Sequence, residues 1–242
     1  PFLEAAANGL ALYGCLVASI VAAYFADSRR WRHAALAVAA LCALGILLTL
    51  TRAVWLSASI ASVAALLCAR ETRRFVLPTV IAGVALVVLA FAAVPGLSDS
   101  ARARARERTP VYDRRNSNDA ALRMIAAKPL FGFGWSTFAR ESGGYYRQAP
   151  DYPLSQIRNV HNVYLGNAVE LGLVGGGLWL TACAIVLIGA VMRRGPPSLR
   201  PWKIGLVAIA LSYGIVGLTT PLGYAFPAVL AWTWAGLAWG ED

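Results

Sequence analysis

Charge is what this sequence has least of. Asp, Glu, Lys and Arg make up 14% of its 242 residues, where a soluble domain carries roughly 25%. Set beside 58% hydrophobic residues and a mean hydropathy of +0.59, that shortage excludes an ordinary soluble domain. The acidic side is the scarcer, with 12 Asp and Glu against 22 Lys and Arg. Asp113, Asp119, Glu141 and Asp151 are scattered rather than spaced as ligands, so a carboxylate-built Mg²⁺ site is not indicated. Cys15, Cys42, Cys68 and Cys183 all fall inside apolar runs, with no CxxC or Cys/His spacing. They read as small packed hydrophobes rather than as metal ligands. Neither metal nor cofactor is therefore expected. The alternating segments of about ten residues that mark a membrane β-barrel are missing, and so is any internal repeat. No signal peptide is visible and the chain opens on Pro1, so we expect it to start partway through a longer protein.

What the sequence has instead is long apolar runs. Several approach or exceed the ~18 residues that read as a membrane span. The expected fold is all-α, a polytopic transmembrane bundle of about seven spans with one long, partly helical extracytoplasmic loop. The spans are predicted at 5–26, 34–50, 53–69, 75–94, 161–192, 204–220 and 224–239. The fifth is too long for one straight crossing, and Gly175-Gly176-Gly177 is its expected break. Basic loops are expected at 28–33, 70–74 and 193–203. These stretches carry three, three and four Lys or Arg, which makes them cytoplasmic by the positive-inside rule. Parity then puts Arg52, the 95–160 segment, His161 and the Pro221 turn on the outer face. The +10 formal charge is thus read as orientation, and no nucleic acid partner is expected. Three parts follow: spans 1–94, an extracytoplasmic loop 95–160, and spans 161–242.

The outer loop opens on DSARARARER, which is helix-prone, and whose arginines read as a surface face or a lipid-headgroup contact. Asn116 or Ser117 is expected to cap a helix running to about Lys128, with Ala121, Met124 and Ile125 as its apolar stripe. Pro129 follows the stop, and Gly132 and Gly134 permit a tight turn. Tyr145, Tyr146 and Tyr152 crowd the loop beyond. Arginine (Arg52, Arg114, Arg115), histidine (His161) and tyrosine thus meet on one side of the membrane. Guanidinium groups hold phosphate in a forked geometry without losing charge. A histidine titrates near neutrality and takes a proton from a hydroxyl. Such a set suits a lipid-linked phosphate or diphosphate, with arginine meeting the leaving group's charge.

Three stretches carry a family resemblance: Thr51-Arg52-Ala53-Val54-Trp55-Leu56; RRNSNDAALRMIAAKPLFGFGWSTF from Arg114 to Phe138; and His161-Asn162-Val163-Tyr164-Leu165 followed by Glu170, Gly172 and Gly175. In this order and topology the chain resembles the O-antigen ligase family over about residues 41–180. Asn118 stands where that family's loop often has tryptophan, which leaves open whether Arg114 or Arg115 is the matching arginine; spacing favours Arg114. The family commonly has more than seven spans, so N-terminal spans are expected to be absent.

The resemblance implies a glycosyltransferase of the bacterial inner membrane, with its active site on the periplasmic face. Its donor would be an undecaprenyl-diphosphate-linked glycan. Its acceptor would be the lipid A–core for a ligase, or another lipid-linked repeat for a polymerase. Arg52, Arg114 and His161 are the implied catalytic residues. Arg115, Asn162, Tyr164, Tyr145 and Tyr146 are candidate substrate contacts, and membrane lipids surround them. Plainer readings stand beside these: Arg52 snorkelling from a helix end, solvated loop arginines, tyrosines of an interfacial belt. Glu170 lies nine residues past His161, which on one continuous helix puts it roughly opposite in azimuth and about 13 Å further on. It is therefore expected to support structure, by pairing within the bundle or bonding backbone freed at the glycines. Gly172 and Gly175 are expected to admit a neighbouring helix. From a different class, a transporter or flippase for an anionic lipid would use the same arginines for binding alone.

Overall fold

The structure, a computed structural model, describes residues 5–147, 160–221 and 225–240, with the side chains of 225–227 left aside. Tyr152, Asp151 and the start of the last predicted span lie outside the described residues. Among the described residues ten α-helices follow one another and no strand occurs. They are α1 (Ala5–Phe25), α2 (Arg29–Leu48), α3 (Arg52–Cys68), α4 (Val76–Ala93), α5 (Leu97–Arg106), α6 (Thr109–Ala127), α7 (Phe138–Glu141), α8 (Val163–Met192), α9 (Arg200–Gly217) and α10 (Ala225–Trp239). Among the described residues five helical stretches are long and apolar enough to cross a bilayer: Ala5–Phe25, Arg29–Leu48, Arg73–Ala93, Val163–Met192 and Pro197–Gly217. Two apolar helices, Arg52–Cys68 and Ala228–Trp239, are shorter than these. The expected all-helical bundle is what the chain forms.

Three boundaries differ from expectation, each for a local reason. Residues 28–33 were expected as a basic loop, yet α2 begins at Arg29, because the Ser28 hydroxyl accepts the Trp31 N–H at 3.2 Å and so caps the helix. Arginine is a good helix former, so a basic first turn does not stop it. Likewise α9 starts at Arg200, inside the expected 193–203 loop. Asn116 and Ser117 do not cap a helix. They lie buried within α6, which opens further back at Thr109 with Pro110 in its first turn, a position where its missing N–H costs nothing.

The chain divides into two compact units. One comprises residues 1–104, 186–216 and 224–242; the other comprises 105–185 and 217–223. In the first, α1 is the central helix. Tyr13, only 1% exposed, shares a 2.9 Å hydrogen bond with Ser62 of α3. The wholly buried Ser57 of α3 pairs with Ser212 of α9 at 3.1 Å. In a bilayer, where apolar surface gives helices little reason to associate, such contacts and close backbone approach are what hold a bundle. Close approach is seen where α1 meets α10: a methyl group added at Gly14 would run into Leu230. Outward, Leu77, Ile81, Val84, Val88 and Leu89 of α4 stay exposed, as lipid-facing side chains do.

The arginine–tryptophan motif belongs to this unit. Leu50 takes φ +50 just before α3, Arg52 is its exposed first residue, and the Trp55 indole N–H bonds back to the Ile46 carbonyl at 2.9 Å. The tryptophan thus pins the α2–α3 turn, and the turn sets where Arg52 emerges.

Gly14→Val should overpack the α1–α10 contact. The expected cost is about 1–3 kcal/mol, read as a lower unfolding midpoint in detergent micelles. Gly83→Ala, whose added methyl meets nothing within 4 Å, should leave that midpoint unchanged or slightly raised.

Candidate functional site

The second unit is built around a defect in α8. A 30-residue apolar helix would ordinarily continue straight, but Gly172 has φ 69 and ψ −179, which no helix contains. The break therefore falls three residues before the glycine triplet where it was expected. It is sharp. Tyr164 and Trp179, which a straight helix would hold about 22 Å apart along its axis, have ring centroids 6.3 Å apart. A Cβ on Gly176 would lie 3.6 Å from the Cα of Ala168. The arm before Gly172 folds back along the arm after it.

A break of this kind strands backbone groups on both sides, each costly if left unsatisfied in apolar surroundings. Residues 129–134 satisfy them. The carbonyls of Val169 and Glu170 accept the N–H groups of Phe133 and Gly134, both at 2.9 Å. The N–H groups of Leu173 and Val174 donate to the carbonyls of Pro129 and Leu130 at 2.8 and 3.2 Å. Gly132 (φ +67) and Gly134 (φ +104) supply the turn, and a Cβ on Gly132 would strike the Val169 carbonyl. A Cβ on Gly172 would strike the Leu130 carbonyl in the same way. So the neighbour that Gly172 admits is this loop, not the helix that was expected, and at Gly175 the near atom is Leu171 of the same helix.

Glu170 sits two residues before the break. Its Oε1 accepts the N–H of Phe138 at 3.3 Å, at the start of α7. The backbone it holds is therefore that of the 129–138 loop rather than that freed at Gly172. Phe138 joins Ala121, Met124, Val160 and Val169 in one buried cluster, with Ile125, Phe133, Tyr145 and Leu165 around it. The predicted apolar stripe of α6 is thus the face that meets α8.

That cluster places the candidate residues. Arg114, Asn118, Ala121 and Ile125 recur every three or four residues, so they share one face of α6. Arg114 and Asn118 are half-buried; the Arg114 Nε and the Asn118 Oδ1 are buried with no hydrogen-bond partner among the described residues. An unmet buried donor on a guanidinium is costly, and a bound anion would meet it. Arg115 is exposed on the next face. His161 is half-buried with its Nδ1 buried, one residue after Val160, which packs on Ala121 and Met124. One residue later Asn162 caps α8: its Oδ1 accepts the N–H groups of Tyr164 and Leu165 at 2.9 and 3.1 Å. His161 is therefore gripped on one side by a core residue and on the other by a helix cap.

The tyrosines divide. Tyr145 stacks edge-on against Phe133 at 5.7 Å, and its carbonyl is held by Arg123 at 2.8 Å, so its ring serves the loop's own packing. Tyr146 is half-buried; burial first, and the charge of Asp113 second, push its phenol pKa up, so it stays protonated as a donor. It stands within electrostatic reach of the turn of α6 that carries Arg114. Tyr164 lies inside the α8 fold-back against Trp179. Arg52 belongs to the other unit.

Sequence reasoning missed two supporting residues. Asn162 as a cap was legible, since an asparagine just ahead of an apolar helical run is a start signal. Arg123, which holds the Tyr145 carbonyl across 22 residues of chain, had no local signal.

Gly172→Ala should be the most damaging single methyl in this unit, because it adds both φ strain and a clash with Leu130. The expected loss is about 2–4 kcal/mol, read as faster amide exchange at residues 173 and 174 than in the Gly83→Ala control.

No curated protein and no solved structure matches the chain. A family model described as O-antigen ligase matches residues 35–180. That stretch takes in Arg52, α6, the 129–134 loop, His161 and the Gly172 break. The apolar helices and this match together fit a multi-pass membrane protein. The chain belongs to the O-antigen ligase family.

Proposed function

We propose that the chain is a membrane glycosyltransferase that moves a glycan from undecaprenyl diphosphate to an acceptor hydroxyl on the outer face of the bacterial inner membrane. The observation that carries it is the Arg114 guanidinium, whose buried Nε has no partner among the described residues, on the helix whose Ala121 and Met124 share a buried cluster with Val160, the residue before His161. The acceptor oxygen attacks the anomeric carbon. The bond from that carbon to the diphosphate oxygen breaks, and its electrons leave with undecaprenyl diphosphate. Arg114 meets the charge growing there with a forked contact. His161 accepts or orients the acceptor's proton, which water then removes. With carboxylates scattered along the loop, arginine takes the part a metal plays elsewhere. Tyr146, held protonated, offers a hydroxyl donor, and Asn118 Oδ1 offers an acceptor for a sugar hydroxyl. Arg52 is assigned to the diphosphate by family resemblance, and its substitution tests that separately.

The test uses the protein in liposomes with undecaprenyl-diphosphate glycan, candidate acceptors and chelator, following release of free undecaprenyl diphosphate. His161→Ala should lower turnover about 10²–10⁴-fold. Arg114→Ala should do comparable harm, and Arg114→Lys should recover part, since charge returns without the fork. Full activity in both alanine variants would overturn the roles. The acceptor that gains mass separates ligase from polymerase. Glycan-lipid moved across the bilayer without release would overturn transfer in favour of transport.

A further inference from the structure

The depth of the 129–135 loop follows from the helix it is fastened to. Twenty residues of α8 follow the break, Leu173 to Met192, and basic Arg193 and Arg194 come next. At 1.5 Å per residue those twenty rise about 30 Å, the thickness of the hydrocarbon core. Helix length is an upper limit on the difference in depth between its ends; tilt only reduces it. With Arg193 at one membrane surface, Gly172 stands no higher than the opposite surface. Backbone bonds to residues 169, 170, 173 and 174 fix the loop at that level.

The loop's side chains suit the place. Leu130 is 59% exposed, Phe131 76% and Trp135 74%. In water, three large apolar groups so placed on six residues would be an anomaly. The chain continues this surface: Leu173 and Val174, backbone-paired to Pro129 and Leu130, are exposed as well, and so is Leu178. Lys128, at the loop's start, holds its ammonium 4.5 Å over the Phe133 ring, an arrangement that leaves a cation at headgroup level. The backbone agrees. Irregular chain at membrane depth is tolerated only where its polar groups are satisfied by protein, and the four bonds across Gly172 do that.

We propose that residues 129–135 form an interfacial wedge, which inserts Leu130, Phe131 and Trp135 into the bilayer leaflet on the side opposite Arg193. The occupant of this apolar surface is lipid acyl chain, and the proposal stands whether or not the protein transfers glycans. The protein would thus carry a membrane-anchored loop directly on the backbone that closes the α8 break.

Two measurements test it in the full chain reconstituted in vesicles. The first places a spin label at Phe131→Cys in a background with the four native cysteines replaced. Oxygen should reach it in preference to a water-soluble nickel complex, as at Leu178→Cys and unlike at Arg147→Cys. A label at 131 that behaves like the one at 147 overturns the proposal. The second leaves the cysteines in place and needs no label. Lipids brominated near the headgroup should quench tryptophan emission, and Trp135→Phe should remove part of that quenching. Quenching by shallow bromine that is unchanged in Trp135→Phe overturns the proposal too.

Discussion

Four backbone hydrogen bonds between residues 129–134 and the two arms of α8 hold the rest of the candidate site in place. They exist because a helix cannot stop inside an apolar run without stranding its own polar groups. Once the break at Gly172 is made, some other backbone has to answer it, and a turn with glycines can come close enough. Gly132 and Gly172 are the two ends of that approach, each facing the other segment's carbonyl. Everything near the site inherits its position from this clasp. It sets where α6 packs on Val160, and Glu170 then ties the start of α7 to the same arm.

The result is a site whose members are carried by apolar and backbone contacts. Arg114 rides a helix whose face is fixed by Ala121 and Met124, and His161 sits between a buried valine and a capping asparagine. Among the described residues no carboxylate pairs with Arg114. That matters for chemistry on a diphosphate, because a guanidinium already neutralised by Asp or Glu would have less to offer a phosphate.

Much of this was legible in the sequence, and the reasons differ by residue. Span positions follow from apolar length, which the bilayer enforces. The α6 stripe and the Pro129–glycine turn follow from periodicity and backbone freedom. The location of the α8 break did not, because Gly175-Gly176-Gly177 is the stronger local signal, and the choice of Gly172 is made by a loop some forty residues away in sequence. The start of α6 was set too late because Asn116 and Ser117 have capping chemistry, whereas Pro110 in a first turn has the better backbone. The face of α6 that carries Arg114 was implicit in the spacing to Ala121. That the Nε would be buried and unmet depends on packing no local pattern encodes.

Surface loops ordinarily absorb insertions and deletions, since their closure entropy changes slowly with length. The 129–134 loop has no such freedom. It is bonded on both sides of one residue, with the Pro129 and Leu130 carbonyls held at one arm and the Phe133 and Gly134 N–H groups at the other. One residue more or fewer between those pairs would leave at least two bonds unmade. Its length is therefore held more tightly than a surface loop's, and across a diverging lineage this loop would keep its count and its two glycines.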